Sequence, residues 1–383
     1  MAQLNGEPRK RSQATAGDGP IWALGLMSGT SMDGVDAALV RTDGLTVDEV
    51  GPSEMIAYDK ALRARLRAAV AGKADDREVA ATERLLTERH AEAVHALIGR
   101  WGRKEQGDVG VVGFHGHTLW HRPAERRTRQ IGNGALLARL VNLPVVNDFR
   151  AADLAAGGEG APLAPLYHLA RAEVSGLGLP VAVLNLGGVA NVTWIGPAGD
   201  GPDRHLLAFD TGPGCAMIDD WALRHTGVPC DIGGGLAAAG TVDGTALGRL
   251  LDHPYFARRP PKSLDRFAFP ADPVEALSVE AGAATLTAFA AEAVARAAAY
   301  LPALPRQWLV TGGGRHNKAL MAYLARVLGA PVRPVETAGW NGDSLEAEAF
   351  AFLAVRSLRG LPLSLPATTG ARAAVTGGRL HRP

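Results

Sequence analysis

The sequence predicts an α/β fold of two lobes with a nucleotide cleft between them. Apolar strands run into glycine-rich turns at three places, near Gly29, Gly187 and Gly312. The unit of strand, glycine turn and strand that begins the chain returns in mid-chain, which indicates two related cores. Glycine turns and helix N-termini let a phosphate approach the main chain, so three such turns favour a bound nucleotide.

Composition and charge limit the class of protein. The 383 residues allow two or three domains, and a net charge of +1 argues against a general binder of polyanions. Two cysteines imply no disulfide framework and fit a reducing compartment. No apolar run is long enough to span a bilayer, and the polar residues 1–20 predict a disordered tail and not a secretory signal. We therefore expect a cytoplasmic protein.

The first glycine turn organises the N-terminal part of the chain. Apolar residues 21–27 and 35–40 predict a β-hairpin whose turn is rich in Gly, Ser, Thr and Asp. Backbone N–H groups and the hydroxyls of Ser28, Thr30 and Ser31 would suit an anion, although the same residues would also satisfy a tight hairpin that binds nothing. Neither a P-loop lysine nor a Gly-x-Ser-x-Gly elbow is present.

The following elements alternate between strands and helices, as in an α/β lobe. They are a strand over 47–58, helices over 59–72 and 77–102, a buried strand over 108–120, a helix over 131–140 and a strand over 144–147. The buried strand runs into His115, His117 and His121. Three imidazoles so close could hold a metal, but no carboxylate or cysteine completes the site, and a strand-end loop that binds substrate is favoured.

A polar loop over 147–162 follows the last of these strands. Asp148, Arg150 and Asp153 suit a ligand with many hydroxyl groups, and the planar fork of Arg150 suits a carboxylate. A surface cluster of ion pairs is the alternative interpretation.

The second half of the chain begins a new series of strands at Leu179. The predicted elements are strands over 180–186, 189–195 and 307–310 and helices over 279–300 and 318–328. The residues before Glu346 predict a capped helix start, where Glu346 either reaches a ligand or complements the helix dipole. The segment from Leu361 onward is predicted to be a surface loop.

Asp210 is the candidate catalytic carboxylate. It ends an apolar strand where the chain turns through Gly212, Pro213 and Gly214, a position from which a carboxylate can face a cleft. It could accept a proton from a hydroxyl group or water, or it could hydrogen-bond the turn. We favour catalysis, because the glycines leave room for a ligand.

Several motifs in this order resemble those of the anhydro-N-acetylmuramic acid kinases, a bacterial family of the actin, hexokinase and Hsp70-like ATPase superfamily. The resemblance runs from about Ile21 to about Gly370. It rests on the segments Gly25 to Asp36, Gly157 to Leu163, Leu184 to Asn191, Phe209 to Gly214, Pro261 to Ser263 and Gly312 to Gly314. It implies a two-lobed actin-like ATPase with ribonuclease H-like cores. We expect lobes of residues 21–178 and 179–383, with the last helix packing back on the first lobe.

The resemblance also implies an activity. ATP with Mg²⁺ would phosphorylate the 6-oxygen of 1,6-anhydro-N-acetylmuramic acid while water opens the anhydro ring, giving N-acetylmuramic acid 6-phosphate in peptidoglycan recycling. Asp210 would be the base that activates the water. The residues implied at the nucleotide are Gly29, Thr30, Ser31, Met32, Asp33, Gly34, Val35 and Asp36 in the phosphate loop, and Gly312, Gly313 and Gly314 in the later turn.

The remaining assignments concern the sugar, the metal and the partners. Five residues are assigned to the sugar, and they are His115, Thr118, Asp148, Arg150 and Glu346. Either Asp33 or Asp36 is assigned to Mg²⁺. We expect no nucleic-acid or membrane partner, and a homodimer is left open.

The chain departs from the common family pattern at a few positions. Many members have Gln at the positions of His117 and Glu159 and Asn at the position of Cys215, and Leu264 to Arg266 also differ. These departures concern individual substrate contacts and leave Asp210 and the phosphate loop untouched.

Two other functions are compatible with the same motifs. Another sugar kinase of this superfamily would use Asp210 to deprotonate an ordinary hydroxyl group. A nucleotide-dependent sugar sensor would lack the base or carry a DNA-binding segment, whereas this sequence has Asp210 and no evident helix-turn-helix extension.

Overall fold

A computed structural model describes residues 19–29, 31–101, 108–197 and 205–383 of the chain. The tail predicted over 1–20 lies outside these ranges except for its last two residues. Thr30 of the predicted phosphate loop also lies outside them.

The described chain is an α/β structure with strands from its beginning to its end. The strands are β1 (Ile21–Ser28), β2 (Gly34–Thr42), β3 (Val47–Ala57), β4 (Val109–Arg122), β5 (Arg127–Ile131), β6 (Val145–Asn147), β7 (Val181–Leu186), β8 (Val189–Ile195), β9 (Leu206–Pro213), β10 (Gln307–Thr311), β11 (Val332–Pro334) and β12 (Arg379–His381).

Helices separate most of these strands. They are α1 (Lys60–Val70), α2 (Asp76–Trp101), α3 (Gly134–Val141), α4 (Ala151–Ala155), α5 (Pro165–Val174), α6 (Ala216–Thr226), α7 (Gly235–Ala239), α8 (Gly244–Leu251), α9 (Val279–Ala298), α10 (Lys318–Val327), α11 (Leu345–Leu358) and α12 (Pro366–Thr369). None of the helices in the described ranges combines the length and the apolarity that crossing a bilayer demands.

The strands form two sheets, which confirms the predicted α/β class with two lobes. In the first sheet the order is β12-β6-β4-β1-β2-β3, and β5 pairs with β4. In the second sheet the order is β11-β10-β7-β8-β9. We call each sheet with its helices the first and the second lobe. Each sheet begins with the predicted antiparallel hairpin, β1 with β2 and β7 with β8, and each hairpin pairs in parallel with a later strand.

Two helices, α5 and α11, pack between the sheets. One continuous hydrophobic cluster joins Ala23 and Val111 of the first sheet, Phe350 of α11, and Val183 and Leu309 of the second sheet. The two sheets therefore share a core, and the start of α11 is fixed at the cleft between them.

Helix α11 approaches the first sheet more closely than any side chain would allow. A Cβ atom on Gly25 of β1 would lie 1.8 Å from the carbonyl oxygen of Ala347, and one on Gly113 of β4 would lie 2.0 Å from that of Phe350. Glycine at these two positions is what lets the helix axis come so near the strands.

A buried polar cluster ties α5 to α11. Arg171 donates to Oε2 of Glu348 at 2.9 Å, and the Tyr167 hydroxyl donates to the same oxygen. Ser344 donates to the other oxygen at 2.7 Å. Because every buried charge has a partner, the cluster fixes the two helices without leaving an uncompensated group.

Four local predictions were wrong. The helix predicted over 131–140 begins at Gly134, because Arg127–Ile131 is an edge strand and Asn133 caps the helix. Strand β9 continues through Pro213, since Gly212 and Pro213 still pair with β8, so Asp210 lies inside a strand. Ser344 does not cap α11 with its side chain, because its hydroxyl bonds Glu348.

The fourth wrong prediction concerns the C-terminal segment. From Leu361 the chain was predicted to be a surface loop, but it contains α12 and β12. Leu380 of β12 pairs with Val146 of β6, which places the end of the chain in the first sheet. Thr368 and Thr369 are buried, so this segment is part of the packed structure.

We predict that Gly25→Ala destabilises the protein by about 3 kcal/mol or more, because the new methyl group overlaps backbone atoms of α11 that cannot rotate away. Gly99→Ala is the control, since a Cβ there meets nothing within 4 Å and alanine favours a helix by about 0.5 to 1 kcal/mol. Urea denaturation measures both changes. Equal stability of Gly25→Ala and the wild type would show that α11 is not seated on β1 as described.

Candidate active site

The first glycine turn joins β1 to β2 and is fixed by its own hydrogen bonds. The Met32 N–H donates to the Gly29 carbonyl at 3.1 Å, and the Ser31 hydroxyl donates to Oδ1 of Asp33 at 2.6 Å. Met32 adopts a positive φ of 56°, which turns the chain into β2. These hydrogen bonds fix the part of the turn that leads into β2.

The hydroxyl of Ser28 does not face a ligand. It is buried, accepts a hydrogen bond from the Tyr58 hydroxyl at 2.7 Å, and lies 3.0 Å from Nδ1 of His117. The expectation that Ser28 adds a donor to an anion site was wrong, because its side chain belongs to the packed interior behind the turn.

Carboxylates gather beside this turn. Burial, together with the nearby charges of Asp33, Glu346 and Asp343, raises the pKa of Asp36 to about 7. A group of like charges held together in this way favours a cation as a neighbour. Within the described ranges, however, no set of three or more His, Cys, Asp or Glu side chains is arranged to hold a metal ion.

The later glycine turn lies between the ends of β10 and β7. A Cβ on Gly312, whose φ is +77°, would lie 2.4 Å from Oδ1 of Asn185, so only glycine fits there. A Cβ on Gly313 would meet nothing within 4 Å. Asn185 also donates to Oε1 of Glu346 at 3.1 Å, which links this turn to the start of α11.

Arg315 anchors the same turn. Its guanidinium donates to the Gly312 carbonyl at 3.0 Å, to Oε1 of Glu336 at 2.9 Å and to Oδ1 of Asp343 at 2.7 Å. Because the side chain is almost fully buried, these bonds hold the glycine turn rigidly against the segment before α11.

Arg150 is the central cation of the cleft. It donates to the Gly160 carbonyl at 2.7 Å and to Nε2 of His115 at 3.0 and 3.1 Å. Burial and the charge of Arg150 hold the pKa of His115 well below its usual range, so a neutral imidazole accepts these bonds. Burial also lowers the pKa of Arg150, and the negative charges of Glu346 and Asp210 oppose that effect.

Asp210 is a buried carboxylate with one oxygen held by the protein. Its Oδ2 accepts from the Leu264 N–H at 2.8 Å, and its own N–H donates to the Lys262 carbonyl at 2.9 Å. Burial raises the pKa of Asp210 to about 7, with Glu159 adding to the rise and Leu264 and Arg150 opposing it. Such a group can take up and release a proton near neutral pH.

The wall behind Asp210 contains a buried lysine that the sequence did not reveal. Lys262 is 2% exposed, donates to the Tyr255 carbonyl at 3.1 Å, and lies 4.3 Å and 5.0 Å from the ring centres of Tyr255 and Tyr300. The Tyr255 hydroxyl in turn donates to the Asp210 carbonyl. The cation therefore stabilises the segment that contacts Asp210.

The three histidines of β4 each have a protein partner. His115 binds Arg150, His117 binds Ser28, and the His121 ring lies 3.0 Å from the Thr128 hydroxyl and donates to the Glu159 carbonyl at 2.9 Å. They therefore do not form a metal site, and the strand-end interpretation fits His115 best.

Three other predicted residues make no polar contact with this group or serve the fold. Thr118 bonds Gln130 at 3.2 Å, and Asp148 is an exposed side chain on backbone with a φ of +55°. In the described part of the chain, neither makes a hydrogen bond or ion pair with Arg150, Glu346 or Asp210. Asp153 is buried and accepts from Gly160 N–H at 2.7 Å, so it supports the loop and is not a surface ligand.

The structure thus joins two groups from distant parts of the sequence. His115, Arg150 and Asp210 form one group, and the two glycine turns and Asp36 form the other. Glu346 belongs to both, because its charge acts on Arg150 and on Asp36 and it accepts from Asn185. Sequence reasoning did not assign site roles to Tyr255, Lys262 and Ser263, and it treated Glu159 only as a departure from the family pattern at a substrate contact. Lys262 and Ser263 carried one signal, their position in the Pro-Lys-Ser motif, and Tyr255 lies outside the quoted motifs.

Comparison with known proteins gives a consistent result. The family model for anhydro-N-acetylmuramic acid kinase matches residues 22–382. Anhydro-N-acetylmuramic acid kinase from Rhodospirillum rubrum is 59% identical over 364 residues, covering 94% of each chain. The protein of that name from Paramagnetospirillum magneticum is 57% identical, covering 94% of this chain and 99% of the relative. Among solved structures, a xylulose kinase from Lactobacillus acidophilus matches with a TM-score of 0.43 and 12% identity, covering 94% of each chain.

We predict that the free energy of unfolding of the wild type rises between about pH 8 and about pH 10.5, and that Lys262→Met abolishes this rise. Burial lowers the pKa of Lys262 to about 8, so the unfolded chain binds more protons in this window and wild-type stability rises with pH. Urea unfolding at about pH 7 and about pH 10 measures the slope. Lys318→Met, at an exposed position, should keep the wild-type slope. An unchanged slope in Lys262→Met would contradict the buried cation.

Proposed function

The chain belongs to the anhydro-N-acetylmuramic acid kinase family, and we propose how its cleft performs that reaction. The enzyme uses ATP to phosphorylate 1,6-anhydro-N-acetylmuramic acid and opens its anhydro ring, giving N-acetylmuramic acid 6-phosphate for peptidoglycan recycling. The observation that carries the mechanism is Asp210, a buried carboxylate with a pKa of about 7 whose charge interacts with that of Arg150.

Asp210 is the base in this proposal. It takes a proton from the water whose oxygen attacks the anomeric carbon, and the bond from that carbon to the 6-oxygen breaks. The departing 6-oxygen accepts the γ-phosphoryl group of ATP, and ADP leaves. Oδ2 of Asp210 is held by the Leu264 N–H, and no hydrogen bond from the described residues occupies Oδ1, which is therefore the oxygen that receives the proton.

Arg150 and Glu346 are proposed to frame the sugar. The Arg150 guanidinium is fixed by His115 and the Gly160 carbonyl, so its charge stays in place when a substrate enters. Glu346 extends from the start of α11 and is held by Asn185. Desolvation raises the pKa of Glu346, while Arg150 and the hydrogen bond from Asn185 lower it. Fixed groups of opposite sign can orient a polar sugar without reorganising during the reaction.

The two glycine turns are proposed to hold ATP. Its phosphates would lie along the backbone of residues 29–36, and the nucleoside would lie by the exposed backbone of Gly313. Asp33 or Asp36 would hold Mg²⁺, because hard carboxylate oxygens suit this ion and the crowded negative charge around Asp36 favours a cation. When bound, Mg²⁺ neutralises negative charge on the phosphates. The need for ATP is consistent with a cytoplasmic location.

The proposed function predicts a pH limb that depends on Asp210. The value of kcat/KM for the anhydro sugar should fall as pH drops below about 7, because protonated Asp210 cannot accept a proton. Asp210→Asn should lower kcat by about 10²-fold or more. Mass spectrometry should identify N-acetylmuramic acid 6-phosphate formed with ATP as donor. Full activity of Asp210→Asn would overturn the assignment of the base, and ATP use without this product would overturn the assignment of the substrate.

If ATP binds beside Gly313 as proposed, a side chain at this position should weaken ATP binding. In Gly313→Leu the new side chain has space in the protein but would occupy the proposed ATP position, so the Kd for ATP should rise about tenfold or more with little change in the free energy of unfolding. Isothermal titration calorimetry measures the Kd. Gly99→Leu, which is also unobstructed but lies on α2, should bind ATP normally. Normal ATP binding by Gly313→Leu would place the nucleotide elsewhere.

A further inference from the structure

Glu159 lies on a first-lobe loop that is held rigidly on all sides. Its N–H donates to the Thr369 carbonyl at 2.7 Å, and its carbonyl accepts from His121 at 2.9 Å. Buried Asp153 receives the next N–H, that of Gly160, and the Thr369 hydroxyl at 2.6 Å. The backbone of Glu159 therefore cannot shift without breaking several buried hydrogen bonds.

The side chain of Glu159 crosses the cleft to the second lobe. Its Oε2 accepts from the Ser263 hydroxyl at 2.8 Å, and its Oε1 lies 3.4 Å from the guanidinium of Arg258. Ser263 is 3% exposed, whereas the side chain of Arg258 is 51% exposed. The bond to Ser263 is thus the sheltered one, and the contact with Arg258 is weakened by solvent.

Ser263 is flanked by the two peptide groups that hold the base. The carbonyl of Lys262, the preceding residue, accepts from the Asp210 N–H. The N–H of Leu264, the following residue, donates to the Asp210 carboxylate. A single hydroxyl group therefore separates Glu159 from the turn that fixes the position of Asp210.

Glu159 also acts on Asp210 through its charge. The negative charge of Glu159 raises the pKa of Asp210, while Arg150 lowers it. The other ionisable groups next to them point elsewhere, because Tyr255 donates to the Asp210 carbonyl and the Lys262 ammonium lies between two tyrosine rings. Arg258 faces Glu159 from the second lobe and partly offsets its charge.

We propose that Glu159 is a positioning residue that holds the 262–264 turn against Asp210 only while the two lobes are in contact. The inference rests on the proposed function, in which Asp210 is the base. A carboxylate from one lobe thus completes the support of a base carried by the other. When the lobes separate, Asp210 loses both the constraint on its turn and a neighbouring negative charge, so the base is fully assembled only in the closed cleft.

Two substitutions at Glu159 separate its charge from its hydrogen bond. Glu159→Gln keeps an acceptor for Ser263 but removes the charge, so the acidic limb of kcat/KM should move to lower pH while kcat at high pH stays near the wild-type value. Glu159→Ala removes the acceptor, so kcat should fall about tenfold or more with the KM for ATP unchanged. Glu88→Gln, at a partly exposed position on α2 where Glu88 pairs with Arg84, is the control and should keep the wild-type acidic limb.

Substitution of Ser263 tests the same contact from the other side. Ser263→Ala should lower kcat as Glu159→Ala does, and the double variant should be no slower than either single variant, because both remove the same contact. An unchanged acidic limb in Glu159→Gln, or additive losses in the double variant, would overturn the inference.

A measurement without turnover keeps this test apart from the test of the function. The ¹³C resonance of the Asp210 carboxyl group, assigned by its loss in Asp210→Asn, reports its protonation in the ligand-free protein. In Glu159→Gln the Asp210 carboxyl group should titrate at a lower pH than it does in the wild type. If the wild type fails to phosphorylate the sugar but this shift is seen, the proposed function fails and the contact across the cleft stands. If the shift is absent both in the ligand-free protein and with the anhydro sugar present without ATP, the inference fails whatever the activity.

Discussion

The rest of the structure depends on the close contact between α11 and two glycines of the first sheet. Gly25 and Gly113 let the backbone of α11 lie directly on β1 and β4, and α5 packs beside it. The helix begins at the cleft, so this contact also fixes the position of Glu346. Since the same core reaches strands of the second sheet, the two lobes are joined by one layer of helices, with the site at its edge.

Electrostatics divide the cleft into two parts with different chemistry. Near the first glycine turn, the charges of Asp33, Glu346 and Asp343 help burial to raise the pKa of Asp36 to about 7, although Arg315 pairs with Asp343. In the second part the charges of Glu346 and Asp210 act on Arg150, and burial raises the pKa of Asp210 to about 7. In the proposed function the first part holds the metal and the phosphates, and the second part carries out proton transfer at the sugar. Both parts are built on backbone fixed by Arg315, Asp153 and Lys262.

Much of the fold could be predicted because its strands are apolar runs that end in glycine turns. Both hairpins, helix α10 and the strand before each turn follow from local patterns. The edge strand β5 was missed because its alternating Arg, Thr and Gln side chains lack an apolar face. Asp210 was placed at the end of a strand because Gly212 and Pro213 usually end one, whereas here the pairing with β8 continues.

The candidate site was harder to predict for a physical reason. Asp210 and the glycine turns carry local signals, but their supporting residues gain meaning only from distant partners. Glu159 and Ser263 are 104 positions apart, and Asn185 and Glu346 are 161 apart. Contacts between such distant positions leave no periodic pattern in the sequence. The motifs therefore drew attention to these segments without indicating what each residue does.

The most direct test of the mechanism is the fate of the solvent oxygen. The reaction with ATP and the anhydro sugar would be run in ¹⁸O-water, and the product would be fragmented in a mass spectrometer. The mechanism predicts one ¹⁸O atom at the anomeric carbon and none in the phosphate group, with both ring opening and phosphorylation lost in Asp210→Asn. A phosphorylated product without solvent oxygen at the anomeric carbon would contradict the role of Asp210 as the base that activates water.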